Sequence, residues 1–152
     1  MSEFSSERGQ RQGAALRDLL IVHQLTTTRL TQALRPLGIS LTHVSFLSHL
    51  AGTGASSSVS DIAAAMEVNQ PAVSKTMKSL AELNAITVQH DAGDARRRTV
   101  HLTAAGSDLL SRARALMHPV ADLTFDPLTD RRLDQLLDTL TRIRTRLDTA
   151  RQ

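Results

Sequence analysis

The chain has 152 residues, contains no cysteine and carries a formal net charge of +3. The lack of cysteine excludes disulfides, thiolate metal sites and thiol-based redox sensing, and no apolar run is long enough to span a membrane. The aromatic residues are three phenylalanines, too few for the stacking platforms that bind single-stranded nucleic acid or most RNA, so a duplex is the expected nucleic-acid partner. We expect one cytoplasmic domain over residues 1–152, without a signal peptide.

The N-terminal part of the chain predicts a long helix. Residues 1–12 are polar and are expected to be frayed. Leucines at helical spacing then follow over residues 13–37. Pro36 and Gly38 predict the end of this helix.

A second helix is expected to start at Ser40 or Thr42. Residues 52–58, with the sequence GTGASSS, predict a loop after it, because glycine and serine dominate their composition. The apolar side of this second helix is predicted to be Val44, Leu47, Leu50 and Ala51.

The next two predicted helices form a helix-turn-helix unit. Ser58 and Asp61 have the spacing of a capping box, with Asp in place of Glu or Gln, at the start of a short helix that ends near Val68. A second helix follows within a few residues, with Asn69 as its cap and Pro71 in its first turn. The short helix is expected to turn inward Val59, Ile62, Ala63 and Met66.

The second helix of this unit, Val68 to Leu83, has two contrasting faces. Its buried stripe is predicted to be Val73, Met77, Leu80 and Leu83. Its opposite face carries Gln70, Ser74, Lys75 and Lys78. Such amide, hydroxyl and amine groups suit the base edges and phosphates of a DNA major groove. An ordinary solvent-exposed amphipathic helix is the alternative.

A β-hairpin is predicted directly after the helix-turn-helix. Residues 86–89 and 99–102 alternate with a period of two, and the charged, turn-rich segment from His90 to Arg98 joins them. A helix-turn-helix followed by such a hairpin is a winged helix, so the predicted fold is mainly α with a small β-hairpin wing. An arginine run lies near the end of the wing loop and is expected to contact DNA, with a solvated wing tip as the alternative: Arg96, Arg97 and Arg98.

Two further helices are predicted after the wing. Thr103 is expected to cap the first, which ends at about His118, before Pro119, and Thr129 the second. The last helix repeats apolar residues at spacings of three and four: Leu133, Leu136, Leu137, Leu140, Ile143 and Leu147. The two ends of the chain carry more apolar surface than one helix-turn-helix core covers, which favours a homodimer.

Particular residues resemble the MarR family of bacterial winged-helix repressors. The wing segment Asp91-Ala-Gly-Asp94-Ala-Arg96, followed by Leu102-Thr103-Ala-Ala-Gly106, is similar to the family pattern D-x-R-D-x-R leading into L-T-x-x-G. The helix-turn-helix stretches Val59-x-x-Ile62-Ala63 and Pro71-Ala-Val73-Ser74-Lys75 resemble a weaker family pattern. Gly93 stands at the first Arg position of the wing pattern, so a minor-groove contact is expected from another arginine.

The wing arginines are expected to divide their roles. Neighbouring residues of a strand point to opposite faces, so Arg96 and Arg98 cannot easily share a role with Arg97. We expect Arg96 mainly to shape the wing, and Arg97 or Arg98 to reach DNA. Asp94 is expected to organise the wing by holding Arg96 or a helix N–H, because a carboxylate would repel a phosphate.

The resemblance implies a homodimer that binds a pseudo-palindromic operator and is released by a small, often aromatic or anionic effector. Residues 13–37 and 103–149 would then be dimerisation helices, and residues 40–102 the DNA-binding region. An effector cleft is expected between the second helix and the base of the wing. Its candidate lining residues are His43, Phe46 and His101.

No enzyme, metal site or cofactor is predicted. The six histidines include no HExxH motif and no i, i+4 ligand pair, and no nucleophile elbow or Gly-rich phosphate loop is present. The second candidate function is a winged helix that acts as a protein-interaction module, with its lysines and arginines as a solubilising surface.

Overall fold

A computed structural model describes residues 6–66, 70–90, 92–94 and 97–150. The chain divides into two compact units, Met1–Met117 and His118–Gln152. The elements in chain order are α1 (Glu7–Leu34), a 3₁₀ turn (Arg35–Leu37), α2 (Leu41–Gly52), β1 (Ser56–Ser58), α3 (Val59–Met66), α4 (Gln70–Glu82), β2 (Ile86–His90), β3 (Arg98–Leu102), α5 (Ala104–Phe125) and α6 (Asp130–Thr149). The predicted fold class is confirmed, with one strand more than predicted.

Helix α1 begins earlier than its apolar pattern indicates. The Ser6 side chain accepts a hydrogen bond from the Gly9 N–H at 3.1 Å, and Glu7 in the first turn pairs with Arg11. An N-cap and an acidic first turn stabilise a helix start without any apolar residue. The expectation of frayed residues is therefore wrong for residues 6–12, whereas residues 1–5 lie outside the described part.

The end of α1 follows the prediction. The helix tightens into the 3₁₀ turn that contains Pro36, and Gly38 follows with a φ of 65°. This left-handed conformation is one that glycine adopts without steric cost, so the chain can reverse direction here. Ser40 then caps α2, because its hydroxyl accepts from the His43 N–H while the His43 ring accepts from the Ser40 N–H.

Helix α2 lies at the centre of the first unit. It packs against α1, α3, α4, β1 and β3. Phe46, Leu47 and Leu50 have no exposed surface, whereas Ala51, predicted on the apolar side, is exposed. A helix surrounded by neighbours is buried on more than one stripe, which is why Phe46 joins the core.

The wing is part of a three-stranded antiparallel sheet in the order β1-β3-β2. Residues 52–58 were predicted to be a loop, and this is wrong for Ser56–Ser58, which pair with β3 in the register Ser57↔Val100. Serine has no strand preference, but the free edge of β3 offers hydrogen bonds, and the Leu102 N–H also donates to the Ala55 carbonyl at 2.8 Å. The pairing of β2 with β3 confirms the predicted hairpin.

Helices α3 and α4 occur where the sequence predicts them. Ser58 accepts from the Asp61 N–H at 3.1 Å, and its hydroxyl donates to the Asp61 carboxylate at 2.6 Å. The carboxylate thus bonds the side chain of Ser58, where a capping box would use its backbone N–H. The predicted cap Asn69 lies outside the described residues. Leu83 lies after the end of α4 and is 44% exposed, so the predicted stripe ends at Leu80.

Helix α5 begins as predicted but extends further. Thr103 accepts from the Gly106 N–H at 3.0 Å and donates to the Asn84 carbonyl at 2.6 Å. The predicted end near His118 is wrong, because the helix continues through Pro119 to Phe125. A proline removes one helical hydrogen bond, but its φ is already helical, so a long helix can continue through it.

The second unit contains the end of α5 and the whole of α6. Thr129 takes the N-cap position of α6 without a side-chain capping bond, and Asp130 occupies the first turn. None of the residues of α6 is buried in the single chain. Its exposed large apolar residues are Leu133, Leu137, Leu140, Ile143 and Leu147.

Gly106 provides a test of the packing between α5 and the turn before β2. A Cβ at this position would overlap the Ala85 carbonyl oxygen and approach Leu102 Cδ1 to 2.8 Å. We expect Gly106→Ala to lower the free energy of unfolding by about 2–3 kcal/mol, measured by urea denaturation. Gly13→Ala is the control, because no atom lies within 4 Å of the added methyl group, and there we expect an increase of about 0.5–1 kcal/mol. Equal stability of Gly106→Ala and the unchanged chain would contradict this packing.

Candidate nucleic-acid interface

Helix α4 has a buried apolar side and an exposed polar side, as predicted, and the apolar side extends to Leu80. Val73 and Leu80 have no exposed surface, and Met77 is 5% exposed. Thr76 is also buried, and its hydroxyl donates to the Ala72 carbonyl at 3.0 Å, so this buried hydroxyl has a hydrogen-bond partner.

The opposite face of α4 is polar and open to solvent. Ser74, Lys75 and Lys78 are exposed. Among the described residues no ion pair involves either lysine, so both ammonium groups are available to an anionic partner. Gln70 is the first residue of the helix, and its side chain lies outside the described part.

The wing brings its charged residues close to the start of α3. The Arg97 N–H donates to the Asp94 carbonyl at 2.9 Å. Asp94, Arg97 and Arg98 line an open cavity of about 510 Å³ together with the first turn of α3. Its other lining residues are Ser58, Val59, Ser60 and Asp61.

The wing arginines differ in position. Arg97 is exposed and precedes β3, whereas Arg98 is half-buried and is the first residue of the strand, opposite His90. Arg96 lies outside the described residues. The hydrogen bond that the Asp94 carbonyl accepts from Arg97 supports an organising role for Asp94, and that role stays a prediction.

The structure places the three predicted effector residues in different surroundings. Phe46 lies in the hydrophobic core with no exposed surface. His101 is half-buried on β3, opposite Ser56 and Thr87. His43 lies at the start of α2, where Nδ1 is 3.0 Å from the Ser40 backbone nitrogen.

A second partner of His43 was not predicted. Its Nε2 lies 3.0 Å from Ser79 Oγ on α4. Burial lowers the pKa of His43 below its usual value of 6.5. No sequence pattern indicates this contact, because the two residues lie 36 positions apart.

A cavity between α2 and α3 was also missed. Its volume is about 360 Å³, and it is lined by Leu41, Thr42, Ser45, His49, Ala65 and Met66. His49 Nε2 lies 3.2 Å from Ser57 Oγ. The spacing of Thr42, Ser45 and His49 at three and four residues is the signal that could have placed these polar groups on one face.

The described residues contain no group of three or more His, Asp and Glu arranged to hold a metal ion. Over the same residues, no helix has the length and apolarity to cross a membrane.

Comparison with known proteins identifies the architecture. Residues 37–97, which include the helix-turn-helix and most of the wing, match the model of the MarR family. The fold is that of the MarR family. AbsC, a MarR family transcriptional regulator from Streptomyces coelicolor, superposes with a TM-score of 0.81 at 21% identity, over 97% of this chain and 99% of that chain. No curated protein sequence matches.

Two further proteins of known structure share this fold. A mutant MarR from E. coli, solved in complex with operator DNA, superposes with a TM-score of 0.75 at 18% identity, over 91% of this chain and 99% of that chain. BpsR from Bordetella bronchiseptica, whose DNA binding is regulated by 6-hydroxynicotinic acid, superposes with a TM-score of 0.74 at 21% identity, over 88% and 98% of the two chains. The predicted resemblance to the MarR family is confirmed.

Proposed function

We propose that this chain is a homodimeric, non-enzymatic transcriptional regulator of the MarR type, which binds a pseudo-palindromic operator in the cytoplasm and acts as a repressor. The observation that carries the proposal is the division of α4 into a buried apolar side and a polar side whose two lysines make no ion pair with any described residue. MarR from E. coli, which shares the fold, has been solved with operator DNA. A small effector is proposed to release the DNA.

Helix α4 is the proposed reading helix. Ser74, Lys75 and Lys78 are exposed together. A hydroxyl can bond a base edge or a phosphate, and an ammonium attracts the backbone and hydrogen-bonds guanine. Gln70, at the first position of the helix, is proposed to join them.

The wing supplies the second proposed contact. Arg97 and Arg98 lie beside the helix-turn-helix and make no ion pair among the described residues. We propose that one of them enters the minor groove, where a narrow, A·T-rich segment has an enhanced negative potential. Arg96 keeps its proposed role in shaping the wing.

Dimerisation is proposed from the exposed apolar surface of each unit. In the first unit α1 exposes Leu16, Leu19, Leu20, Ile21, Val22 and Leu25. In the second unit α6 exposes five large apolar residues on one side, while its polar side includes the ion pair between Arg142 and Asp138 at 2.9 Å. Helices of this kind need a partner to remove their leucines from water. A second copy of the chain is the proposed partner, which would place two half-sites about 10 base pairs apart.

The α2–α3 cavity is the proposed effector site. A volume of about 360 Å³ falls in the range of small-molecule pockets, which combine apolar walls with a few polar groups. Leu41 and Met66 provide apolar walls, and His49 provides a hydrogen-bonding group for an aromatic acid. BpsR, regulated by such an acid, supports this class of effector.

Salt dependence tests the proposed DNA contacts. Counterion release makes log affinity fall with log salt by about 0.9 for each phosphate contact. In a dimer each substitution removes two contacts. We therefore expect the double variant Lys75→Ala, Lys78→Ala to reduce this slope by about 3.6, and the loss of one contacting wing arginine to reduce it by about 1.8. The measurement is a salt titration on a duplex selected from genomic fragments, with Arg97→Ala and Arg98→Ala compared separately.

Arg112→Ala is the control for this experiment. Arg112 is exposed on α5 and pairs with Asp108 at 3.9 Å, so its loss removes the same charge outside the proposed interface. Slopes that equal that of the unchanged chain for all of the lysine and wing variants would contradict the proposed contacts and leave these residues as a solvated surface. A chain that binds no duplex at low salt would leave the interaction-module alternative.

Light scattering tests the proposed dimer. A carboxylate placed in an apolar interface pays a large desolvation cost, so we expect Leu137→Glu with Leu140→Glu to weaken the dimer at least about 100-fold. Circular dichroism should show that the helices remain. Gln135→Glu introduces the same charge on the polar side of α6 and should leave the dimer intact. A stable monomer formed by the unchanged chain would refute the proposal.

Release of DNA by small aromatic acids tests the effector site. The measured quantity is the concentration of 6-hydroxynicotinic acid, or of a related acid, at which half of the DNA is released. We expect His49→Ala to raise this concentration about tenfold, because a hydrogen bond to a charged group is lost. His43→Ala and His101→Ala test the cleft predicted from sequence. A change in those variants alone would locate the effector at the base of the wing.

A further inference from the structure

His43 connects two elements of the proposed DNA-binding region. Its Nδ1 lies 3.0 Å from the Ser40 backbone nitrogen and 2.7 Å from Ser40 Oγ. Its Nε2 lies 3.0 Å from Ser79 Oγ. One half-buried imidazole ring therefore joins the N-terminus of α2 to the side of α4.

The backbone determines which ring nitrogen carries the proton. A backbone N–H can only donate, so Nδ1 must accept from Ser40 and cannot itself be protonated. The neutral ring then carries its hydrogen on Nε2, which donates to the Ser79 hydroxyl. The contact with the Ser40 N–H therefore requires the neutral ring, and the contact with Ser79 depends on the ring keeping this position.

Ser79 lies at the edge of the proposed reading face. It follows Lys78 directly and comes one helical turn after Lys75. It is half-buried, whereas both lysines are exposed. A hydrogen bond at this position limits the rotation of α4 about its own axis and hence the direction of the two lysines.

We infer that His43 is a positioning residue for the reading helix, and that its protonation weakens DNA binding by releasing α4 from the cap of α2. The inference rests on the proposed function. Protonation places a hydrogen on Nδ1, which then faces the Ser40 N–H, so the two donors repel each other and the ring is expected to turn toward the Ser40 hydroxyl as its new acceptor. The same movement breaks the contact with Ser79.

Burial determines how the contribution of His43 to stability changes with pH. The pKa of His43 is lowered because the charged ring is desolvated. The unfolded chain therefore binds the proton more readily than the folded chain. The contribution of the neutral ring to stability is present above pH 6.5 and is lost as the pH falls through the lower pKa of the folded state.

Neighbouring charges do not account for the lowered pKa of His43. Burial is its cause, and no ion pair joins His43 to a carboxylate among the described residues. The charged or titratable groups on α2 and on the elements packed against its helix-turn-helix side are His49, Asp61, Lys75, Lys78, Glu82, Arg98 and His101. On the side of α1 and the 3₁₀ turn they include Arg29 and Arg35.

The test is the affinity for DNA as a function of pH. The probe is a duplex of about 30 base pairs selected by the unchanged protein from a random pool. We expect its binding constant to fall about tenfold between about pH 7.5 and about pH 5.5. In His43→Gln the amide oxygen can still accept from the Ser40 N–H without titrating, so its pH profile should be flat over this range. His118→Gln removes an exposed histidine that bonds Asp122 and should retain the profile of the unchanged protein.

Ser79→Ala separates positioning from general stability. It keeps the titrating cap but removes the link to α4, so we expect weaker binding at about pH 7.5 and a smaller fall on acidification. An unchanged pH profile in either folded variant, His43→Gln or Ser79→Ala, would overturn the inference while leaving DNA binding intact. Failure of the unchanged protein to bind any duplex at either pH would instead refute the proposed function.

Discussion

The burial of one side of α4 is the constraint on which the candidate interface depends. Val73 and Leu80 have no exposed surface, so rotation of the helix would expose them and turn polar residues inward. A shift by one residue rotates the side chains by about 100° and would move a lysine toward the core. The desolvation of an ammonium group is costly, and this cost opposes such a rotation. The polar face is therefore held toward solvent by the core beneath it.

Helix α2 extends this constraint to the rest of the first unit. It packs against α3 and α4 on the one hand and against β1 and β3 on the other. Two histidines of α2 add polar contacts at opposite ends of the helix, His43 to Ser79 and His49 to Ser57. The helix-turn-helix and the wing thus share one support, so their relative positions depend on the packing of a single helix.

Local patterns were sufficient to predict most of these elements. The period-two alternation gave the hairpin, and the three-and-four spacing gave α4, because both are decided by residues close in sequence. Strand β1 could not be predicted in this way, since three serines form a strand only when the edge of β3 is available more than 40 positions later. Phe46 was misplaced for a similar reason, because the helix that carries it is surrounded on several sides and a single-stripe pattern does not describe it.

The candidate site was predictable where one helix carries it. Ser74, Lys75 and Lys78 follow from the spacing along α4, whereas the cavity between α2 and α3 and the contact between His43 and Ser79 depend on two elements meeting. The extension of α5 through Pro119 shows a different limit. A proline marks a probable helix end by its local chemistry, but the turns on both sides can continue through it when their own hydrogen bonds suffice.

The central position of β3 in the sheet has a consequence for the divergence of such chains. Because β3 is paired along both edges, a change in the base of the wing disturbs two ladders at once and is expected to be selected against. The described tip residues Ala92, Gly93, Asp94 and Arg97 lie outside these ladders, so insertions and charge changes at the tip are expected to leave the pairing intact. Gly93, where the related wing pattern has arginine, is a substitution of this kind. The residues of the wing tip can therefore change during evolution, and with them the contacts of the tip, while the three-stranded sheet keeps its pairing.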